Sequence, residues 1–160
     1  NLIRFWYRFI FDRQEEIALG LGDVLFEECK AEIDDFIAHG FEDVAISFLT
    51  EQNGKGLLPY YYAPIRNYKV DNSKLGRSIE LDGLAEGLGK NSHCLLVVEC
   101  KYRKTPFSVA MLEQLKESVS IFGGYTTIDY YLFSKSGFTP EIMKLSDSSL
   151  HFISLDSMFS

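Results

Sequence analysis

Three side chains within one stretch, SIELDGLAEGLGKNSHCLLVVECKYRK (78–104), are fit for chemistry: Asp82, Glu99 and Lys101. The run HCLLVVECKY reads as a buried strand, and charges enter such strands when they are paired, bind a metal or serve a reaction. Alternation sets Leu95, Val97, Glu99 and Lys101 on one face and Cys94, Leu96, Val98 and Cys100 on the other. In the preceding strand Glu80 and Asp82 share a face, and a hairpin brings Asp82 beside Glu99. Two carboxylates that close repel unless one is protonated or a cation lies between them. Oxygen donors suit Mg²⁺ or Mn²⁺. A lysine two residues on can hold or deprotonate an attacking water and offset charge on a phosphoryl group. The triplet alone carries no weight, since acid-x-Lys arises roughly once in 140 residues at average composition. A structural ion pair at a strand end is the competing reading of Glu99 and Lys101.

The elements that must hold these residues follow from periodicity. The opening NLIRFWYRFIFDRQ reads as a buried or packing helix more than as a nucleic-acid-binding stripe. Leu25, Phe26, Cys29, Ile33, Phe36 and Ile37 recur at helical intervals to about Ala38. Gly40 is expected to interrupt, and FEDVAISFLTEQ to form a second helix that NGKG ends. LLPYYYAPIRNYKV, with two prolines, reads as an edge strand or surface loop, and DNSKLG as a turn. SIELDGLAE and CLLVVECKY form an antiparallel hairpin through GLGKNS. Ser108 is expected to cap a helix from Val109 to about Phe122, ended by Gly123-Gly124. IDYYLFS is a strand, TPEIMKLS a short helix with Thr139 as cap, and LHFISLDSM a last strand. The order implies an α/β domain with a central mixed sheet.

The chain has 160 residues, 46% of them hydrophobic, enough for one sizeable core. No apolar run reaches the roughly 18 residues of a membrane helix, so no membrane partner is expected. Three cysteines without CxxC spacing argue for reduced thiols, a cytoplasmic setting and no structural zinc. A net charge of −7 seems to oppose nucleic acid, but residues 1–50 hold 4 basic and 11 acidic side chains and account for all of it. Residues 66–104 hold 8 basic and 5 acidic side chains, so the basic region surrounds the Asp82–Lys101 stretch. Because the chain opens at Asn1 without a methionine, it reads as a piece of a longer polypeptide.

Asp82, the Glu99-Cys100-Lys101 triplet and the helix after it resemble the PD-(D/E)xK nuclease superfamily. Leu81 stands where the proline of that name would be. The resemblance implies a restriction-endonuclease-like three-layer core. It also gives Glu42, in GFEDVAISFL, the place of the acidic residue on the first core helix, and Gln114, in MLEQLKESV, that of a polar residue lining the cleft. The segments IRFWYRFIF, GFED, IELDGLAE, VVECKYR and LFSKSGFTPEI are further similar, in order, to the C-terminal domain of unknown function of archaeal-type AAA+ ATPases. That likeness implies a connecting helical segment over 1–38, a nuclease-like domain over 39–160 and an ATPase domain in the same polypeptide. The chain itself carries no GxxxxGK phosphate loop.

The resulting expectation is a Mg²⁺- or Mn²⁺-dependent nuclease acting on nucleic acid, DNA before RNA. Asp82, Glu99 and the Cys100 carbonyl would bind metal, Lys101 would position water, and Gln114 and Glu42 would support them. The alternative is a catalytically inactive module of the same fold that binds nucleic acid or protein, or regulates the ATPase; a homo-oligomer is compatible with either. His93 has no evident orienting carboxylate and reads as a loop residue. Tyr60, Tyr61 and Tyr62 suit edge packing better than base stacking.

Overall fold

Runs rich in Val, Leu, Ile and Tyr alternate with short helices from residue 66 on, and they assemble into a mixed sheet of order β1-β2-β3-β4-β5. In the computed structural model, which describes residues 2–72 and 76–158, the strands are β1 (Arg66–Asn72), β2 (Arg77–Glu86), β3 (Cys94–Lys101), β4 (Thr127–Ser134) and β5 (Leu150–Ser154). Residues 73–75, inside the expected DNSKLG turn, lie outside the described residues. The β1–β2 and β2–β3 pairs are antiparallel, and the β3–β4 and β4–β5 pairs are parallel. Parallel neighbours need crossovers, and α4 (Val109–Val119) and α5 (Pro140–Met143) lie within them.

Alternation divides the core into two. On one face Ile79, Leu81, Leu95, Val97 and Leu132 pack with Phe107, Leu112, Leu115, Val119 and Ile142. On the other face Leu96, Val98, Cys100, Tyr131 and Phe133 are buried, as are Ala45 and Leu49 of α3 (Gly22–Gly54). Phe48 of the same helix stands edge-on to Phe133, with ring centroids 6.2 Å apart. Helix, sheet and helix therefore make three layers, an α/β architecture.

The chain divides into two units, one ending at Phe41 and one beginning at Glu42. The first holds α1 (Leu2–Phe9), a 3-10 turn, α2 (Gln14–Ala18) and the start of α3. Its Phe5, Phe9 and Phe36 rings meet at 5.0–5.8 Å. Of α1 only Phe9 is buried, while Leu2, Ile3 and Tyr7 are exposed, so of the two expected forms it is a packing helix and not a buried one. A helix in so small a unit has one face to bury. One correction concerns Gly40: α3 runs through it unbroken. An interior glycine costs only about 1 kcal/mol relative to alanine, and burial of Ala45 and Leu49 outweighs that. Ser108 and Thr139 do stand at the N-cap positions of α4 and α5, but neither hydroxyl makes a capping bond. Among the described residues no helix is long and apolar enough to cross a membrane.

Two irregular segments bear on the site. Between α3 and β1 the Asn53 side chain holds Tyr62 at both backbone groups, donating to its C=O at 2.9 Å and accepting from its N–H at 3.0 Å. The Tyr62 hydroxyl donates to buried Asp129 at 2.6 Å. In β2, Arg66 pairs with Leu84 but Tyr68 with Leu81, so Asp82 and Gly83 together oppose Asn67. This is a β-bulge, which re-aims side chains and bends a strand. Alternation therefore does not run through β2 as the sequence suggests: Leu81 and Leu84, three apart, both join the α4-side core.

The bulge depends on the small residue beside Asp82. A Cβ on Gly83 would meet Val98 Cγ2 at 2.8 Å and Ile65 Cγ2 at 2.9 Å. Gly83→Ala should cost about 1–3 kcal/mol through overpacking, seen as a lower urea midpoint. An unchanged midpoint would remove the constraint.

Candidate active site

The site lies where β2 and β3 part. Their ladder runs from Glu86↔Leu95 to Gly83↔Val98 and stops there. Continuing the register would set Cys100 opposite Leu81, but the bulge intervenes, and the Cys100 N–H donates instead to Asp82 Oδ2 at 2.6 Å. On the far side of β3, the Lys101 C=O accepts from the Lys135 N–H of the β4 side. Successive residues of a strand direct their backbone groups to opposite neighbours. The Cys100 C=O thus faces the same fork as Asp82.

Glu99 and Lys101 follow from strand period two and form an ion pair on the α4 face. Their side chains are only 15% and 21% exposed, so the pair is shielded from solvent on most sides. Across from them, Met111, Gln114 and Ser118 form one edge of α4 at helical spacing, and Ser118 Oγ donates to the Gln114 C=O at 3.0 Å. Glu99, Lys101 and Gln114 line one cavity of about 250 Å³ together with Arg77, Glu80 and Arg103. The structure thus brings three of the sequence's candidates to one wall, with Asp82 behind them in the fork. Glu42, at the α3 level, joins electrostatically, since its charge acts on Asp82, Glu99 and Cys100.

The electrostatics carry the signature of crowded acid groups. Burial, then the Glu99 charge, push the Asp82 carboxyl up to about 7, against the Cys100 N–H, which favours the ionised form. Glu99 is raised too, because burial outweighs the opposing pull of Lys101. Burial and the three nearby carboxylates also raise the Cys100 thiol, which stays protonated and packed on the apolar face. Glu80 is held by Lys69 at 3.0 Å.

Several contributors are absent from the sequence reading. Arg77 reaches Glu117 Oε2 at 2.7 Å and Ser118 Oγ at 3.3 Å at the cavity edge. Ser118 was findable, being four residues past Gln114 on one helix. A second cluster sits on the opposite face, where His151 Nε2 lies 3.5 Å from Asp129 Oδ1 and its ring stacks on Tyr131 at 4.2 Å. Asp129, an acid inside apolar IDYYLFS, carries the same signal that singles out Glu99. His93 is exposed at the start of β3, as a loop residue would be.

Among the described residues no group of three or more His, Cys, Asp or Glu side chains is arranged to hold a metal ion. A cation here would rest on the Asp82 and Glu99 carboxylates and the Cys100 carbonyl, with water completing its shell. Those hard oxygen donors, two of them acids whose ionisation is disfavoured, fit Mg²⁺ or Mn²⁺.

The raised carboxyls have a consequence for stability. An unfolded aspartate titrates near about 3.9, and folded Asp82 near about 7. Between those values the unfolded state has lost a proton that the folded state keeps, so stability falls as pH rises through that window and levels off above it. Asp82→Asn, which keeps an acceptor for Cys100, should flatten the slope; urea midpoints at pH 4.5 and 8 for both proteins measure it. Identical slopes would mean that Asp82 ionises normally.

Residues 6–117 match a family described as archaeal and bacterial proteins of unknown function, DUF234. Uncharacterized protein MJECL04 of Methanocaldococcus jannaschii is 33% identical over 103 residues, which cover 64% of this chain and 21% of that protein. The match thus spans about a fifth of the relative's length. No solved structure matches the chain.

Proposed function

The chain belongs to the DUF234 family of archaeal and bacterial proteins of unknown function, and from that premise we propose that it is a divalent-metal-dependent nuclease of the PD-(D/E)xK type. The observation that carries the reading is the pair of half-buried carboxylates, Asp82 and Glu99, the charge of Glu99 acting on Asp82, with Glu99 and Lys101 on the wall of an open cavity. A bound Mg²⁺ or Mn²⁺ would polarise a phosphoryl oxygen and make a bound water acidic. Asp82 and Glu99 would hold it with the Cys100 carbonyl. Lys101 would orient the attacking water and offset charge on the phosphate. Gln114 supplies a neutral donor at the cavity wall and Glu42 a supporting negative charge. Arg77 and Arg103, at the same cavity, would draw in the phosphate backbone of DNA, or of RNA. The relative's greater length is compatible with a preceding AAA+ ATPase domain, and three free thiols with a cytoplasmic setting.

A second reading has its own observation. Lys101 engages Glu99 directly, so both groups already have partners, as they would in a module that binds without cutting.

Single- and double-stranded DNA and RNA, with Mg²⁺ or Mn²⁺, separate the two. The nuclease reading expects cleavage that chelation abolishes and that drops at least about 100-fold in Glu99→Ala and in Lys101→Ala. Calorimetry should register Mn²⁺ binding that Asp82→Ala removes. Cleavage undiminished in both variants sinks the assignment, and nucleic-acid binding without metal uptake or cleavage establishes the second reading.

A further inference from the structure

The two edges of the sheet are built differently. β1 carries Arg66, Lys69 and Asp71, and charges of this kind keep an edge from pairing with other strands. β5 reads LHFIS, with no acidic or basic side chain other than His151. Beside it runs an open apolar groove of about 660 Å³, lined by Phe48, Leu57, Leu58 and Pro59 as well as His151 and Ile153.

Which backbone groups of β5 are free follows from its ladder. The Tyr130 N–H donates to the Ser149 C=O at 2.8 Å, and Tyr130 pairs with Leu150. In a parallel pair this register turns His151 and Ile153 toward β4, and Leu150, Phe152 and Ser154 outward. Two of the outward groups are satisfied locally: the Leu150 N–H donates to the Asp147 C=O at 3.1 Å, and the Ser154 C=O accepts from Ser157 Oγ at 2.7 Å. Among the described residues the Leu150 C=O, the Phe152 N–H and C=O and the Ser154 N–H then stand open.

That pattern is its own complement. Turned about a twofold axis through Phe152, the Phe152 N–H meets the C=O of the partner's Phe152, and the reverse. The Ser154 N–H meets the C=O of the partner's Leu150, again reciprocally. Four bonds form, and the two groups that would otherwise need partners at the ends are those already satisfied within the chain. Within the paired strands no like charges meet, since His151 is the one ionisable side chain of β5 and falls opposite the partner's Ile153.

We propose that β5 is a dimerisation edge, on which a second copy of this chain adds its own β5 antiparallel to continue the sheet. The partner's His151 and the partner's Ile153 then fall on the groove side of the sheet, where Leu57, 65% exposed, and its neighbours gain cover. The interface is isologous and closed, so it ends at two copies. It is independent of the chemistry at the opposite end of β3.

Sedimentation equilibrium of the chain, 18.3 kDa as a monomer, should give a dimer that dissociates on dilution. Ser154→Pro removes the outward donor and leaves the β4 ladder, which uses His151 and Ile153, intact. It should raise the dissociation constant at least about 10-fold with an unchanged circular dichroism spectrum. Hydrogen exchange gives an independent readout: the Phe152 and Ser154 amides should exchange slowly in the dimer and fast on dilution, while those of His151 and Ile153 stay slow in both. A monomer at every concentration, a dimer indifferent to Ser154→Pro, or Phe152 and Ser154 amides protected in the monomer would each overturn the proposal. The last would assign the edge to another segment of the same chain.

Discussion

One hydrogen bond decides the form of the molecule's chemistry. By taking the Cys100 N–H at 2.6 Å, Asp82 stands in for the strand that would otherwise close the β2–β3 ladder. A side chain cannot both fill that position and leave the sheet regular, so the strands part beyond Gly83 and Val98. The opening leaves a main-chain carbonyl and the Asp82 carboxyl in the fork, partly desolvated and within reach of the Glu99 charge. The raised titration of both acids is the energetic cost of that arrangement. It is of the kind that accumulates at functional sites, where ionisable groups are held against their preference.

The rest of the second unit serves to keep the fork in place. Gly83 allows the bulge to close against Ile65 and Val98. On the α4 side, Leu112, Leu115 and Val119 seat the helix so that Gln114 and Ser118 flank the cavity. On the other side, Ala45 and Leu49 are wholly buried, and the same helix begins the unit with Glu42. The polar cleft takes only Arg103 from the loop between β3 and α4. Its Glu99–Lys101 and Met111–Gln114–Ser118 walls are positions fixed by two periodicities, 2.0 along β3 and 3.6 along α4.

How much of this could be read from residues alone varies with the physics involved. The division of β3 into an apolar cysteine face and a charged face was legible, because a regular strand has one period and obeys it. The mixed sheet was legible from the order of extended and helical runs. The bulge was not: Asp82-Gly83 looks like any other alternating pair, and what breaks the register is the fit of Gly83 against residues 18 and 15 positions away in sequence. Gly40 misled in the opposite direction, since a local penalty was read as a stop although burial further along α3 exceeds it. Asp129 went unread for want of a motif around it; its partners, Tyr62 and His151, come from distant segments that only the folded chain unites.

The attachment of Tyr62 alters how the irregular stretch from 55 to 65 should be regarded. Two prolines, two glycines nearby and no regular structure would ordinarily mark such a stretch as the first place to open and the first to be cut by a protease. Here Asn53 clamps its backbone, Asp129 holds its hydroxyl beneath the sheet, and the neighbouring Ala63 N–H donates to the Glu86 C=O at 2.8 Å. Opening it would strip a partner from a buried carboxylate in β4. The part around Tyr62 and Ala63 therefore belongs to the same cooperative unit as the central strands, and a nick at these two residues would require the sheet itself to come apart.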